Sequence, residues 1–186
     1  MTADAPDAAR DALAGHETFE ATGAGDGTWT VDATAFEATV TVSADGADDG
    51  ATRYEVAVRV PSLDAATADQ VGDAVRSGWF ETLRRRLADA PKATRAEVSL
   101  ADFALRDAGP GDDDTAVGPD GAAADLVVAY TFKPETPAQG PPVAKTFVEY
   151  VEGTYVESVV PGYEYRGAVA GLLEAASQGE GTGTPL

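Results

Sequence analysis

An apolar residue recurs at every fourth position within residues 65 to 90, and this regularity constrains the fold more than any other feature of the chain. The series consists of Val71, Val75, Trp79, Leu83 and Leu87. Steps of four place one side chain per turn on a single face of an α-helix. The stretch therefore predicts one long amphipathic helix, packed by its apolar stripe across a β-sheet.

Both ends of this predicted helix carry suitable residues. Asp64 or Thr67 is expected to cap its start, and Pro91 is expected to stop it. Three consecutive arginines lie near the negative C-terminal end of its dipole: Arg84, Arg85 and Arg86.

Alternation of apolar and polar residues predicts strands on both sides of this helix. Three strands precede it, at residues 29–32, 36–42 and 54–60. Two follow it as a hairpin, at residues 98–105 and 126–132. The alternation slips by one position within the first strand of the hairpin, which predicts a β-bulge near Ala101 or Asp102.

Further helices are expected at residues 4–18, from Val143 onward and at residues 165–177. The order of elements is then α-βββ-α-ββ-α. It predicts a two-layer α+β fold, with an antiparallel sheet of about five strands and helices packed on one face. One domain over residues 1–178 is expected, followed by a flexible C-terminal tail at residues 179–186.

The charge of the chain limits its partners and its habitat. Its 186 residues include 32 acidic and 13 basic residues, for a net charge of −19, and no cysteine. This excess is spread over every segment, as in proteins that stay soluble in concentrated salt. It argues against a nucleic acid partner, and no apolar run approaches a membrane span. A cytoplasmic location is predicted.

No pattern in the sequence predicts catalysis. A glycine-rich stretch at residues 23–27 follows a helix and precedes a strand, the reverse of a phosphate-binding loop. His16 is the only histidine, and without cysteine there is no thiolate nucleophile or zinc–thiolate site. We expect no catalytic residue, no cofactor and no specific metal site.

An acidic loop at residues 108–124 leaves one alternative open. Its aspartates, Asp112, Asp113, Asp114 and Asp120, do not have the spacing of a calcium-binding loop. The loop is interpreted as a solvated acidic segment, and the alternative is a site that attracts cations.

The arginine triplet is a first candidate for binding. Consecutive residues on a helix point about 100° apart, so Arg84, Arg85 and Arg86 cannot form one flat patch. Arg86 falls within the apolar stripe, which favours pairing with a carboxylate such as Glu149 or Glu152. The alternative is an anchor for an anion or an acidic peptide.

An aromatic surface is the second candidate. Phe80 follows Trp79 by one position, so a sheet beneath the helix cannot cover both side chains. Tyr163 and Tyr165 lie in a turn after Pro161, and tyrosine is favoured at interfaces. Phe80, Tyr163 and Tyr165 are therefore predicted to bind another polypeptide, unless the final helix covers Phe80.

Two resemblances add to these expectations. The order of elements over residues 4–160 resembles that of type III secretion chaperones, without a shared sequence motif, and implies a protein-binding, often dimeric module. The whole chain resembles an uncharacterised family of haloarchaeal proteins. The residues that carry this likeness are Gly27-Thr28-Trp29, Gly78-Trp79-Phe80 and Tyr163-Glu164-Tyr165. This resemblance implies a salt-rich cytoplasm and no particular activity.

Two functions remain open. The first is a non-catalytic interaction module with a protein partner or a second copy, using the aromatic surface or an apolar second face of the sheet. The second is a small-molecule or anion-binding protein, or an enzyme, with a pocket near the arginine-rich helix end. A pocket of about 300 Å³ or more lined by arginine and tyrosine would favour the second. The lack of an identifiable base, nucleophile and oxyanion donor favours the first.

Overall fold

A computed structural model describes residues 5–23, 27–44, 51–108 and 125–180. Its strands are β1 (Phe19–Ala21), β2 (Thr28–Val31), β3 (Ala38–Ala44), β4 (Thr52–Val60), β5 (Val98–Asp107) and β6 (Leu126–Pro134). Its α-helices are α1 (Ala5–Ala14), α2 (Leu63–Ala66), α3 (Asp73–Leu87), α4 (Gly140–Val156) and α5 (Gly167–Glu180). Short 3₁₀ turns occupy Ala90–Ala93 and Pro137–Gln139.

The six strands form one antiparallel sheet in the order β1-β2-β3-β4-β6-β5, with helices packed on one face. The predicted two-layer α+β architecture is confirmed. The sheet has one strand more than expected. The additional strand is β1, which pairs with β2 over only three residues. Such a strand is too short to show an alternating pattern, and only Phe19 of its residues is buried.

Alternation assigns one side of each strand to the core, as the sequence predicts. Tyr54 lies opposite Phe132, Val56 opposite Tyr130, and Val58 opposite Val128. All six side chains are fully buried. The predicted bulge is also confirmed, because the pairing of β5 with β6 shifts between Leu100 and Asp102.

Helix α4 occupies the centre of the helical layer. It packs against β4 and β6 and lies between α1 and α3. Its Phe147 ring centre lies 5.0 Å from that of Tyr130 and 5.2 Å from that of Phe132. Its buried positions include Val143, Ala144, Val148, Val151 and Tyr155. The organising helix is thus α4, and α3 packs beside it.

The long helix predicted at residues 65–90 is interrupted. Helix α2 ends at Ala66, and the Thr67 backbone is extended, with φ −112° and ψ 150°. The Thr67 hydroxyl donates to the Leu63 carbonyl oxygen at 2.9 Å. The expected caps are wrong: Ser62 caps α2 by accepting from the Ala65 amide at 3.2 Å, and Gly72 precedes α3 without a side-chain cap.

The apolar stripe of α3 is buried only in its second half. Trp79, Leu83 and Leu87 are buried, but Val75 is 36% exposed. Every residue from 73 to 78 is exposed. The prediction that Val75 packs against the sheet is therefore wrong, because the first turns of α3 lie beyond its packed surface.

Three buried tyrosines attach the helical layer to the sheet through their hydroxyls. Tyr130 donates to the Leu87 carbonyl at 2.8 Å, and Tyr155 donates to the Pro61 carbonyl at 3.0 Å. Tyr54 donates to the Pro137 carbonyl at 3.1 Å. Burial raises the pKa of Tyr54 to about 12 and also raises the pKa of Tyr130 and of Tyr155. These phenols therefore stay neutral donors at ordinary pH.

Candidate functional site

Arg86, one of the candidate binding residues, connects the C-terminal ends of two helices. Its Nη1 atom donates to the Glu157 carbonyl at 3.1 Å and to the Ser158 hydroxyl at 3.3 Å. Tyr150 donates from its hydroxyl to the Arg86 carbonyl at 2.9 Å. Arg84 and Arg85 are exposed. Arg86 thus holds the end of α3 against the end of α4.

The carboxylates expected to pair with Arg86 have other partners. Glu149 pairs with Lys145, one helical turn earlier. Glu152 accepts a hydrogen bond from the Ala35 amide at 2.6 Å. The predicted pairing of Arg86 with Glu149 or Glu152 is therefore wrong, because backbone and hydroxyl acceptors lie closer to its guanidinium.

A groove of about 570 Å³ lies beside Arg86, where the sequence placed a possible small-molecule pocket. Tyr150 lines it, together with three carboxylates, those of Asp89, Glu149 and Glu157. Two of these carboxylates pair with lysines, Asp89 with Lys92 and Glu149 with Lys145, so the groove has no excess of positive charge that would favour an anion.

Metal-binding clusters are not found among the described residues: no group of three or more histidine, cysteine or acidic side chains is placed to hold an ion. Residues 109–124, which include the aspartates of the predicted acidic loop, lie outside the described residues.

The turn that carries Tyr163 and Tyr165 is fixed to the segment between α2 and α3. The Tyr165 hydroxyl oxygen accepts from the Val160 amide at 2.6 Å, and burial raises the pKa of Tyr165. Its backbone forms an isolated bridge with Thr67. The Glu164 amide donates to the Asp69 carboxylate at 2.8 Å. Tyr165 therefore positions the turn, and Tyr163 is half-buried against the core.

Phe80 lies in a separate groove of about 360 Å³. As its phase predicts, Phe80 is half-buried while Trp79 is only 7% exposed. The groove is lined by Leu63, Leu126 and an ion pair between Arg76 and Asp64. The Arg76 guanidinium donates to both carboxylate oxygens of Asp64, at 2.6 and 2.7 Å. These bonds lower the pKa of Asp64. Neither Tyr163 nor Tyr165 lines this groove, so the predicted aromatic surface is divided into two parts.

The side of the sheet opposite the helices forms a third surface, here called the open face. It consists of the strand side chains that alternate with the core residues. Its basic members are Arg53, Arg59, Arg106 and Lys133, and its acidic members are Glu20, Glu55 and Asp102. Among the strand residues that the structure describes, the remaining members are threonine, serine and alanine, with Val127 as the one large apolar side chain. The second face is thus not the apolar surface that the sequence suggested.

Val127 shows how the open face is packed. It is only 6% exposed, although none of the described helices packs on this side. Its neighbours in register are Arg59 on β4 and Arg106 on β5. The aliphatic stems of two arginines flanking a valine can cover it while their charged ends reach solvent. The same strands place Ala57, Ala129 and Ala104 in a row that leaves the middle of the face flat.

The clustering of these four basic residues on one face is the feature that the sequence did not predict. Each basic residue falls at a position that alternates with core residues, so the signal for its face is present in the sequence. The missing information was the strand order, because β4 and β6 are adjacent only in the folded sheet.

Comparisons with known proteins add a family and no activity. The model of a family described as being of unknown function, DUF5813, matches residues 14–175. No curated protein and no solved structure matches the chain. Among the described residues, no helix has both the length and the apolar character needed to cross a membrane.

Proposed function

The chain belongs to DUF5813, a family of unknown function, and from its geometry we propose that it is a non-catalytic module that binds an acidic polypeptide across the open face of its sheet. The observation that carries this proposal is the charge of the open face. Four basic and three acidic side chains project from its strands, whereas the whole chain has 32 acidic against 13 basic residues.

This imbalance distinguishes the open face from the rest of the surface. An acidic surface keeps a protein soluble and repels most acidic neighbours. With Glu37, which adds a carboxylate at the rim just before β3, the open face has four basic and four acidic side chains, so it repels an acidic partner less than the rest of the surface does. In molar salt the Debye length is about 3 Å, so only charges in direct contact contribute to binding. A flat face that brings charged groups into contact meets that condition.

A polypeptide fits this face better than a nucleic acid does. None of the described side chains on the open face is aromatic, so it offers no platform on which bases could stack. Threonine hydroxyls and mixed charges suit the amides and carboxylates of a protein surface.

The test measures binding of labelled poly-L-glutamate by fluorescence anisotropy in molar potassium chloride. A single-stranded oligonucleotide of equal charge is measured in parallel. We expect the wild-type protein to bind poly-L-glutamate and not the oligonucleotide. The double variant Arg59→Glu/Lys133→Glu should bind about tenfold more weakly or worse, because it reverses two charges on the open face.

The matched control is Arg84→Glu/Arg85→Glu, which changes the net charge equally on exposed positions of α3. It should bind poly-L-glutamate as the wild type does. Loss of binding in this control alone would support the arginine-rich helix end as the site instead. Preference for the oligonucleotide would exclude the polypeptide proposal, and so would a wild type that binds neither probe.

The same proposal includes a cellular location and a type of organism. We place the protein in the cytoplasm of a halophile, acting on a protein partner without nucleic acid or membrane. The support is the net charge of −19, spread over the chain. The haloarchaeal origin and the likeness to type III secretion chaperones in element order remain predictions from the sequence.

A second candidate function is supported by the groove beside Arg86. Its volume of about 570 Å³ and its lining by Arg86 and Tyr150 are what a small-molecule site requires. The Phe80 groove is smaller. This groove and the separate turn that carries Tyr163 and Tyr165 remain proposed secondary contacts for a polypeptide.

A further inference from the structure

Strand β5 is the edge strand next to the open face. It lies at the end of the sheet, paired with β6 on one side, and no strand of the described chain pairs with its other side. It has ten residues, and the bulge leaves a regular stretch from Asp102 to Asp107. An exposed edge of this length presents a row of backbone donors and acceptors that can pair with another strand.

One hydrogen bond fixes which residues of β5 face outward. The Ala108 amide donates to the carbonyl of Asp125, its partner in the extended register, at 2.8 Å. Backbone groups in an antiparallel pair point alternately toward and away from the partner strand. Ala104 and Arg106 therefore direct their backbone groups to β6, and Phe103 and Leu105 direct theirs to the free edge.

The sequence of the regular stretch is self-complementary when read in opposite directions. It runs Asp102-Phe103-Ala104-Leu105-Arg106, with opposite charges at its ends, apolar residues inside them and a small residue at the centre. We propose that a second copy of the chain pairs with this edge through its own β5, antiparallel, with Ala104 of both copies on the two-fold axis.

This register satisfies three conditions together. Asp102 lies opposite Arg106 of the second copy, and the reverse pair forms on the other side of the axis. Phe103 lies opposite Leu105 of the second copy, and their outward backbone groups bond to each other. Phe103 and Leu105 of both copies lie on the side of the helices, and the charged residues of both copies lie on the open face, because the register preserves the alternation. Moving the axis to Phe103 or Leu105 removes both charge pairs.

The apolar side chains at the edge also favour a second copy. Phe103 is half-buried, with its ring centre 5.3 Å from that of Tyr130. Val98 and Leu100 are half-buried on the same side of β5. A paired strand would extend the core across these side chains, since it brings Phe103 and Leu105 of the second copy to the same layer.

The two-fold axis would run perpendicular to the sheet. Both helical layers then lie on one side of a continuous twelve-stranded sheet, and both open faces lie on the other. The inference goes beyond the proposed function, because self-pairing uses the strand edge and engages only Asp102 and Arg106 of the open face.

Cysteine cross-linking tests the register directly. The chain has no cysteine, so Ala104→Cys creates a single thiol. Opposite residues in a pair that is not hydrogen-bonded have Cα atoms about 4.5 Å apart, which a disulfide can span. We expect Ala104→Cys to form a covalent dimer under mild oxidation. The matched control is Ser99→Cys, an exposed position on the same strand. In this register, with the bulge taken into account, its two thiols lie about 27 Å apart, so it should stay unlinked.

Charge exchange tests the paired residues without a covalent bond. Light scattering in molar salt should give twice the chain mass of 19.0 kDa for the wild type. Arg106→Asp alone and Asp102→Arg alone should each weaken the dimer about tenfold or more, because like charges then face each other. The double variant Asp102→Arg/Arg106→Asp should restore the dimer.

Each contrary result overturns the proposal. A wild type that remains monomeric at high concentration excludes the second copy. Equal cross-linking of Ala104→Cys and Ser99→Cys, or none in either, excludes the register. A charge-exchanged double variant that stays monomeric while its circular dichroism is unchanged excludes the two ion pairs. Because Ala104→Cys adds only a sulfur atom to a half-exposed side chain, the cross-linking result does not depend on how well the charge variants fold.

Discussion

Gly140 shows how one missing side chain fixes the entry of the central helix. It begins α4 with φ −55°, an ordinary helical value, so conformational freedom is not what it supplies. A Cβ atom at this position would overlap the ring of Tyr54. That ring cannot move aside, because it stacks on Phe132 at 5.4 Å and its hydroxyl donates to the Pro137 carbonyl. Glycine is required here for space.

Gly140→Ala should therefore destabilise the protein by about 1–3 kcal/mol through overpacking, as measured by chemical denaturation in molar salt. The control is Gly153→Ala on the same helix, where a new Cβ meets no atom within 4 Å. It should stabilise the protein by about 0.5–1 kcal/mol, because alanine is the better helix former. Equal effects at the two positions would mean that the Tyr54 ring can yield.

At the residue scale, the sequence predicted exposure better than it predicted contacts. The phase of Phe80 predicted its partial burial because helical geometry alone decides it. The role of Tyr165 could not be predicted, because its hydroxyl bonds to the Val160 backbone in a turn whose shape depends on contacts with Thr67 and Asp69. The partners of Arg86 were missed for the same reason.

At the scale of elements, helical periodicity identified α3 and α4 but did not show which of them is the central helix. Both show apolar residues at steps of four, so the pattern could not tell which helix covers β4 and β6. The break before α3 was missed because Thr67 is held extended by its bridge to Tyr165, almost one hundred residues later. Local propensity contains no information about such a contact.

The division of α3 into a packed and an overhanging half gives a direct test. Leu83→Ala should cost about 2–5 kcal/mol of unfolding free energy, because Leu83 is fully buried. Val75→Ala should cost less than about 0.5 kcal/mol, because Val75 is 36% exposed. Both are measured by denaturant titration, with Glu81→Ala on an exposed position as the control. A cost at Val75 that approaches that at Leu83 would show that the first turns of α3 are packed.

At the scale of the whole molecule, the net charge of −19 sets the conditions for folding. Self-repulsion of this size is screened in molar salt and strong in dilute buffer. We expect the melting temperature to rise steadily as potassium chloride increases from about 0.1 to about 3 M, with tertiary structure lost at the low end. Thermal melts followed by near-ultraviolet circular dichroism check this, and a constant melting temperature would contradict the halophilic interpretation.

The fold was predictable where it depends on residues that are close together in the sequence. Strands, hairpins and the bulge follow from alternation, and the two-layer class follows from their order. The position of β6 between β4 and β5 does not, because its pairing with β4 joins segments that are far apart in the sequence. The open face depends on that pairing, so its basic residues could be assigned to strands but not brought together.

The place of β6 in the sheet also determines when the molecule can finish folding. Strands β1 to β4 can pair with their neighbours as they are synthesised, and each pairing closes only a short loop. The inner edge of β4 must then wait for residues 126–134, because Tyr54 pairs with Phe132. Closing so long a loop is entropically costly and slows folding. A ribosome-bound chain that ends before β6 would therefore expose the edge of β4 that β6 covers in the finished sheet, and this is the stage at which a newly made chain most needs protection from aggregation.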